Sequence, residues 1–298
     1  MRIGVLDEGQ EDVQAEYWRA FRDQLQKLGY AEGKNLVIEA RFAQGVSARL
    51  HAQAAELVAL KPDLIVTATT LPTQAAMKAT SGIPIVFVSA GDPVKSGLVA
   101  SLARPRENVT GQSIMTTQLA VKRLEMLLEV APVKRKIAYL GQSSNPLRTE
   151  EVQTLQEIGQ SRGVAIRLLD VSAPDAIVRV FELIVREKFG GLLVAASPVL
   201  FAHRKTIVDL AARNRLPAVY PREEYVAAGG LLSYGRDVVA GYRRAADFVH
   251  RILQGAKPSD LPVEQSASFR TVVNLATARA LGIKIPQSIL VRADQVIE

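Results

Sequence analysis

Ser143, Ser144 and Asn145 stand in a row before Pro146, where a helix is expected to begin. Two hydroxyls, an amide and the unpaired N–H groups of a starting helix together suit a carboxylate. Asp92, Glu224 and Asp237 each offer a carboxylate able to accept hydrogen bonds from an ammonium group. This chemistry fits the binding of a small zwitterion. Ordinary roles account for the same residue types: Ser143–Asn145 also reads as a helix cap, and Asp92-Pro93 as a turn.

The other candidates follow from position. In doubly wound sheets, ligands gather beyond the carboxyl ends of the strands, where loops and helix N-termini present polar groups. In the first half of the chain these positions are Asp7 and Glu8, then Thr69 and Thr70, then Ser89 with Asp92. In the second half they are Gln142 to Asn145, Ser197, and Tyr220 with Glu224. Tyr220 is the preferred stacking residue. Tyr17 and Trp18 are adjacent on the first helix, so one is expected to face the core and the other a cleft. Trp18 joins the stripe of Phe21, Leu25 and Leu28 and is expected in the core.

Catalytic constellations are thin. His51, His203 and His250 are scattered on predicted helices, without the i,i+4 pairing or nearby carboxylates of a metal site. There is no Walker phosphate loop, no G-x-G-x-x-G after the first strand and no Gly-x-Ser-x-Gly elbow. Zero cysteines exclude disulfides, thiolate catalysis and cysteine metal sites. The expectation is a protein that is not an enzyme and carries no metal or cofactor.

The elements that would position these residues alternate regularly. Strands at 3–6, 36–39, 64–67 and 85–88 are separated by helices, the last of them over about 73–80. The pattern restarts after Gly111, with strands at 137–140, 166–169, 192–195 and 218–220 between helices. Parallel strands need crossover connections, so the repeated β-α alternation specifies parallel sheets with helices on both faces. The fold class is therefore α/β, with two doubly wound, Rossmann-like lobes. Three chain crossings are expected: Asn108–Ser113, Gly229–Gly235, and Gly255–Leu261 continuing through Ser266. They divide the chain into 1–112 plus 234–264 and 113–233 plus 265–298.

At 298 residues and 48% apolar content the chain has material for two domains. Its net charge of +7 is spread along the sequence. The densest basic runs, Lys134-Arg135-Lys136 and Arg243-Arg244, are short and lack interleaved aromatics, so no nucleic-acid partner is expected. No apolar run approaches the ~20 residues that span a bilayer. Taken alone, the strand at the very start predicts a cytoplasmic protein.

The last thirty residues hold a strand at Phe269–Val273, a helix capped by Asn274 and stopped by Gly282, and Pro286 to prevent its restart. This tail resembles the C-terminal signature of the ABC-transporter substrate-binding proteins related to the tryptophan-binding lipoproteins. Three further phrases resemble that family in the same order: Leu28–Ala43, Ile83–Gly111 and Leu210–Gly235. Departures occur at Thr69-Thr70, where relatives often carry two glycines, at Arg106-Glu107, and at Glu223, where arginine is common. These departures bear on the ligand rather than on the fold.

The resemblance implies the type I periplasmic binding protein plan and a solute receptor of an ABC importer. Such a receptor takes an amino acid or small aromatic carboxylate into an interlobe cleft, closes on its hinge and delivers the ligand to a membrane permease. It further implies a monomer, periplasmic localisation, and an export signal upstream of Met1 in a precursor, with or without a lipid anchor. The alternative is a cytoplasmic ligand-sensing effector domain of the same fold acting on a protein partner.

Overall fold

The computed structural model describes residues 1–105, 108–131, 136–143, 145, 147–173 and 175–298. The chain begins with β1 (Arg2–Asp7), α1 (Glu11–Lys27), β2 (Val37–Phe42), α2 (Leu50–Ala59), β3 (Leu64–Thr67), α3 (Thr70–Ala79), β4 (Ile85–Gly91) and β5 (Val109–Ile114). It continues with α4 (Thr116–Val130), β6 (Lys136–Gly141), α5 (Arg148–Ser161), β7 (Ala165–Asp170), α6 (Ala176–Arg186), β8 (Gly191–Val194), α7 (Pro198–Ala202) and α8 (Arg204–Arg213). Then come β9 (Ala218–Tyr220), α9 (Glu223–Ala227), β10 (Leu232–Arg236), α10 (Val238–Leu253) and β11 (Glu264–Gln265). The chain closes with β12 (Phe269–Asn274), α11 (Leu275–Leu281), α12 (Gln287–Leu290) and β13 (Gln295–Ile297).

Two compact units result. The first is Met1–Met115 with Asp237–Ala267, the second Thr116–Arg236 with Ser268–Glu298. Unit 1 holds a six-stranded sheet in the order β11-β5-β4-β3-β1-β2. All its strand pairs are parallel. Strands such as Leu64–Thr67 are buried throughout because both sheet faces are covered. Leu6, Leu57, Ile65, Ile85 and Phe87 form the centre of its core.

Unit 2 holds a seven-stranded sheet in the order β13-β12-β10-β9-β8-β6-β7. It is parallel except at the junction of β10 with β12. Because β12 and β13 run against the other strands, α11 starts at the opposite end of this sheet from the loops that follow β6, β8 and β9. Asn274 caps α11 by accepting from Thr277 N at 2.9 Å, and Gly282 ends it in the left-handed region at φ 69°. A groove of about 710 Å³ runs beside this tail, floored by Leu275, Ala278, Ile283 and Ile285.

Several sequence expectations are corrected. The first expected crossing, Asn108–Ser113, lies largely in strand β5 (Val109–Ile114), and the second, Gly229–Gly235, overlaps strand β10 (Leu232–Arg236). Both carry glycine and polar residues that hide a strand pattern. The third helix starts at Thr70, three residues before its expected start. The helix expected near Pro146 spans Arg148–Ser161. Among the described residues no helix is long and apolar enough to cross a membrane.

Candidate ligand site

At the carboxyl end of β1, two buried acids follow one another. Asp7 accepts from Gly9 N through Oδ1 and from Trp18 Nε1 through Oδ2, both at 2.8 Å. Trp18 sits edge-on to Phe21 and to Tyr242 of α10, with ring centroids 5.5 and 5.0 Å apart. Tyr17 stacks on the same Tyr242 at 5.6 Å. Tyr17 and Trp18 are both buried, and Trp18 lies in the core as expected. One residue further, Glu8 is 3% exposed and accepts from the Ser47 hydroxyl at 2.6 Å. Burial pushes the Glu8 carboxyl up; Ser47 pulls the other way and Asp7 adds to the rise.

The neighbouring strand ends are knitted together by their polar residues. Thr69 precedes α3, and its carbonyl accepts from the Thr73 hydroxyl at 2.7 Å. The Thr70 hydroxyl accepts from Gly91 N at 3.1 Å, and the Ser89 hydroxyl donates to Ala68 O at 3.1 Å. Thr70 and Ser89 thus join the ends of β3 and β4. Asp92 adopts φ 23° and accepts from Lys95 N at 3.1 Å, while its carbonyl takes the Ser96 hydroxyl at 2.8 Å. It builds a tight turn. Asp237 caps α10 by accepting from Ala240 N at 2.9 Å.

In unit 2, the Ser197 hydroxyl donates to Gln142 Oε1 at 2.5 Å and accepts from Leu200 N at the start of α7. This bond links the ends of β6 and β8. Ser143 N donates to Asp170 Oδ1 at 2.5 Å. Burial raises the Asp170 carboxyl, but hydrogen bonds from Ser172 and Ser143 outweigh it and hold the group below the usual range. Asn145 Oδ1 accepts from Leu147 N at 3.0 Å in the turn before α5. Ser144 lies outside the described residues.

The carboxyl end of β9 is aromatic. Tyr220 is buried and stacks on Tyr225 with centroids 4.9 Å apart and rings 13° from parallel. Burial pushes both hydroxyls well up. Gly230 makes the stack possible, because a Cβ there would stand 2.6 Å from Tyr220 Cε2. Phe201 carries the guanidinium groups of Arg222 and Arg204 at 4.3 and 4.6 Å from its ring. Glu224 lies half-buried in the first turn of α9.

A polar network that sequence reasoning did not single out lies beneath β6. Arg148 donates to Tyr139 Oη at 2.6 Å and pairs with Glu151, all three buried. Arg123, also buried, donates to Tyr234 O at 3.2 Å. Burial pulls the Arg123 guanidinium down; for Arg148 the nearby Tyr139 and Glu151 overcome the same penalty and push it up. Arg148 and Glu151 sit three apart on one helix, so in sequence they look like a surface pair.

Of the candidates, Thr70, Ser89 and Asp92 come together at the β3–β4 edge of unit 1, with Glu8 on the same sheet's β1. Ser143, Asn145 and Ser197 gather at the β6–β8 edge of unit 2, and Tyr220 with Glu224 after β9. Among the described residues no cluster of three or more His, Asp or Glu could hold a metal ion.

This arrangement, two mostly parallel α/β sheets with polar and aromatic residues at the strand ends, is that of the type I periplasmic binding proteins. The chain matches the family described as ABC transporter substrate binding protein over residues 3–297, and it belongs to that family. The family is one of solute-binding proteins and not of enzymes. The chain is 27% identical over 267 residues to a tyrosine-binding protein of Clostridioides difficile (strain R20291), covering 89% of this chain and 76% of that protein. It superposes with TM-score 0.90 and 26% identity on an ABC domain in complex with L-Trp from Streptococcus pneumoniae, over 99% of both chains. A ligand-free, open substrate-binding protein with adhesive properties from Clostridium difficile is similar at TM-score 0.70 and 25% identity, again over 99% of both chains.

Proposed function

We propose that this protein is the extracytoplasmic receptor of an ABC importer for an aromatic amino acid. The observation that carries the reading is the family match over residues 3–297 together with relatives that bind tyrosine and L-Trp. The strand-end chemistry supports it: a buried carboxylate at Glu8, hydroxyls near Ser143 and Ser197, and the buried Tyr220–Tyr225 stack after β9. Glu8, Thr69, Thr70, Ser89, Asp92, Ser143, Ser144, Asn145, Ser197, Tyr220, Glu224 and Asp237 are the positions from which the ligand's contacts are drawn. The hinge closes on the ligand, and the loaded form is handed to a membrane permease.

Calorimetry and thermal shift across the amino acids and small aromatic acids test the reading. L-Tyrosine or L-tryptophan is expected to bind with micromolar or tighter affinity, about −8 kcal/mol or better. Absence of binding by every aromatic amino acid would overturn the ligand class. A radius of gyration unchanged by a bound ligand would count against hinge closure.

A further inference from the structure

Glu8 is a carboxylate without a cation. It is 3% exposed, and its hydrogen bond from the Ser47 hydroxyl satisfies Oε1. Among the described residues no Lys, Arg or His pairs with it, and the charged group that acts on it, Asp7, bears the same sign. Buried charges in proteins are paired or neutralised, so a carboxylate so placed fits a positive partner supplied from outside the chain.

A second observation lies on the next element. Gln14, on the first turns of α1, is 2% exposed, and its Oε1 is buried with no hydrogen-bond partner. Its amide end lies against Gly9, the residue after Glu8: a Cβ on Gly9 would stand 2.6 Å from Gln14 Nε2. Any other residue at position 9 would displace Gln14 from the end of β1. A buried amide oxygen left without a donor is costly unless a donor arrives.

We infer that Glu8 and Gln14 form the ammonium-recognition site of this receptor, Glu8 Oε2 and Gln14 Oε1 accepting two N–H donors of the ligand's α-amino group. The assignment rests on the amino-acid reading above and gives it a specific chemistry. A primary ammonium supplies both the charge that Glu8 lacks and the donor that Gln14 lacks, and charge-assisted bonds of this kind are the strong ones. It moves the ammonium role from Asp92 and Asp237, whose carboxylates are engaged in a turn and a helix cap, to the end of β1.

The test compares L-tyrosine and L-tryptophan with 3-(4-hydroxyphenyl)propionate and 3-(indol-3-yl)propionate, which lack only the amine. Wild type, Glu8→Gln and Gln14→Leu are titrated by calorimetry, with circular dichroism to confirm folding. Wild type is expected to prefer the amino forms by about tenfold or more. In both variants that ratio falls toward one. A wild-type ratio near one, or variants that keep the wild-type ratio, would overturn the ammonium site while leaving the receptor reading in place. Binding of none of the four compounds would overturn the aromatic amino-acid reading, and the site with it.

Discussion

Trp18 Nε1 donates a 2.8 Å hydrogen bond to Asp7 Oδ2. The bond fastens the first helix to the end of the first strand, one residue before Glu8, and it holds a fully buried carboxylate in place. Replacing Trp18 by Phe keeps much of the apolar contact with Phe21 and Tyr242 but removes the donor. The Asp7 oxygen then loses a partner in a dry environment, which costs about 1–3 kcal/mol. Urea denaturation at neutral pH measures it, and a loss below about 0.5 kcal/mol would mean that the indole bond is not what holds Asp7.

Glu8→Gln is expected to stabilise the ligand-free protein at neutral pH while weakening its hold on an amino acid. The folded-state carboxyl is raised above its ordinary value, chiefly by burial, and Asp7 is the charged group facing it. A raised carboxyl contributes stability that is fully present below its unfolded value and lost as pH rises through its folded value. Gln cannot ionise, so the variant's advantage should grow with pH across that window and then level off. Denaturant midpoints from pH 4 to pH 8 check the sign. An advantage that shrinks with rising pH would contradict it. Stability given up for an unpaired functional charge is the usual trade at a binding site.

Gly111→Ala should damage unit 1 more than most single changes. Gly111 adopts φ 151°, and a Cβ there would stand 2.0 Å from Phe87 O across the β4–β5 pair, where the register shifts. Backbone cannot yield as a flexible side chain does, so a cost of about 2–3 kcal/mol is expected. Gly29→Ala, at φ 92° with open space around the added methyl, tests the dihedral cost alone. The difference between the two variants in thermal unfolding isolates the clash.

How far the sequence predicted all this depends on where each residue finds its partner. Leu64–Thr67 and Leu192–Ala195 read as strands because their apolar runs state burial on both faces. Strand β5 did not, since Thr110 and Gln112 are polar. They are satisfied by Leu261 O and Gly241 O, at 2.7 Å each, some 130 to 150 residues away. The Asn274 cap and Gly282 stop are local and were legible. Gln14 was not: a glutamine on an amphipathic helix carries no mark of burial until Gly9 and β1 are folded against it. Asp92 was legible both as an acid and as a turn residue, and its backbone partners show the turn; Asp237 was legible only as an acid, and its bond from Ala240 N reveals the cap.

The Arg148–Glu151 pair carries the final prediction. Both side chains are buried beside Tyr139, and Arg123 adds a second guanidinium nearby, so Glu151 is the network's one carboxylate among these residues. Glu151→Leu would leave two arginines facing each other without an anion in a low-dielectric layer, and removing one partner of a buried pair typically costs about 3–5 kcal/mol. Arg148→Met combined with Glu151→Leu removes the orphaned charge as well as the pair. Met can fill the space over Gly141, where the Arg148 side chain now lies 2.9 Å from the position of an added Cβ. The double variant is therefore expected to recover at least half of the stability lost by the single one, measured by denaturant unfolding of each. A double variant as unstable as Glu151→Leu alone would show that the carboxylate's main service is to Arg123, which still donates to Tyr234 O on the strand that leaves unit 2.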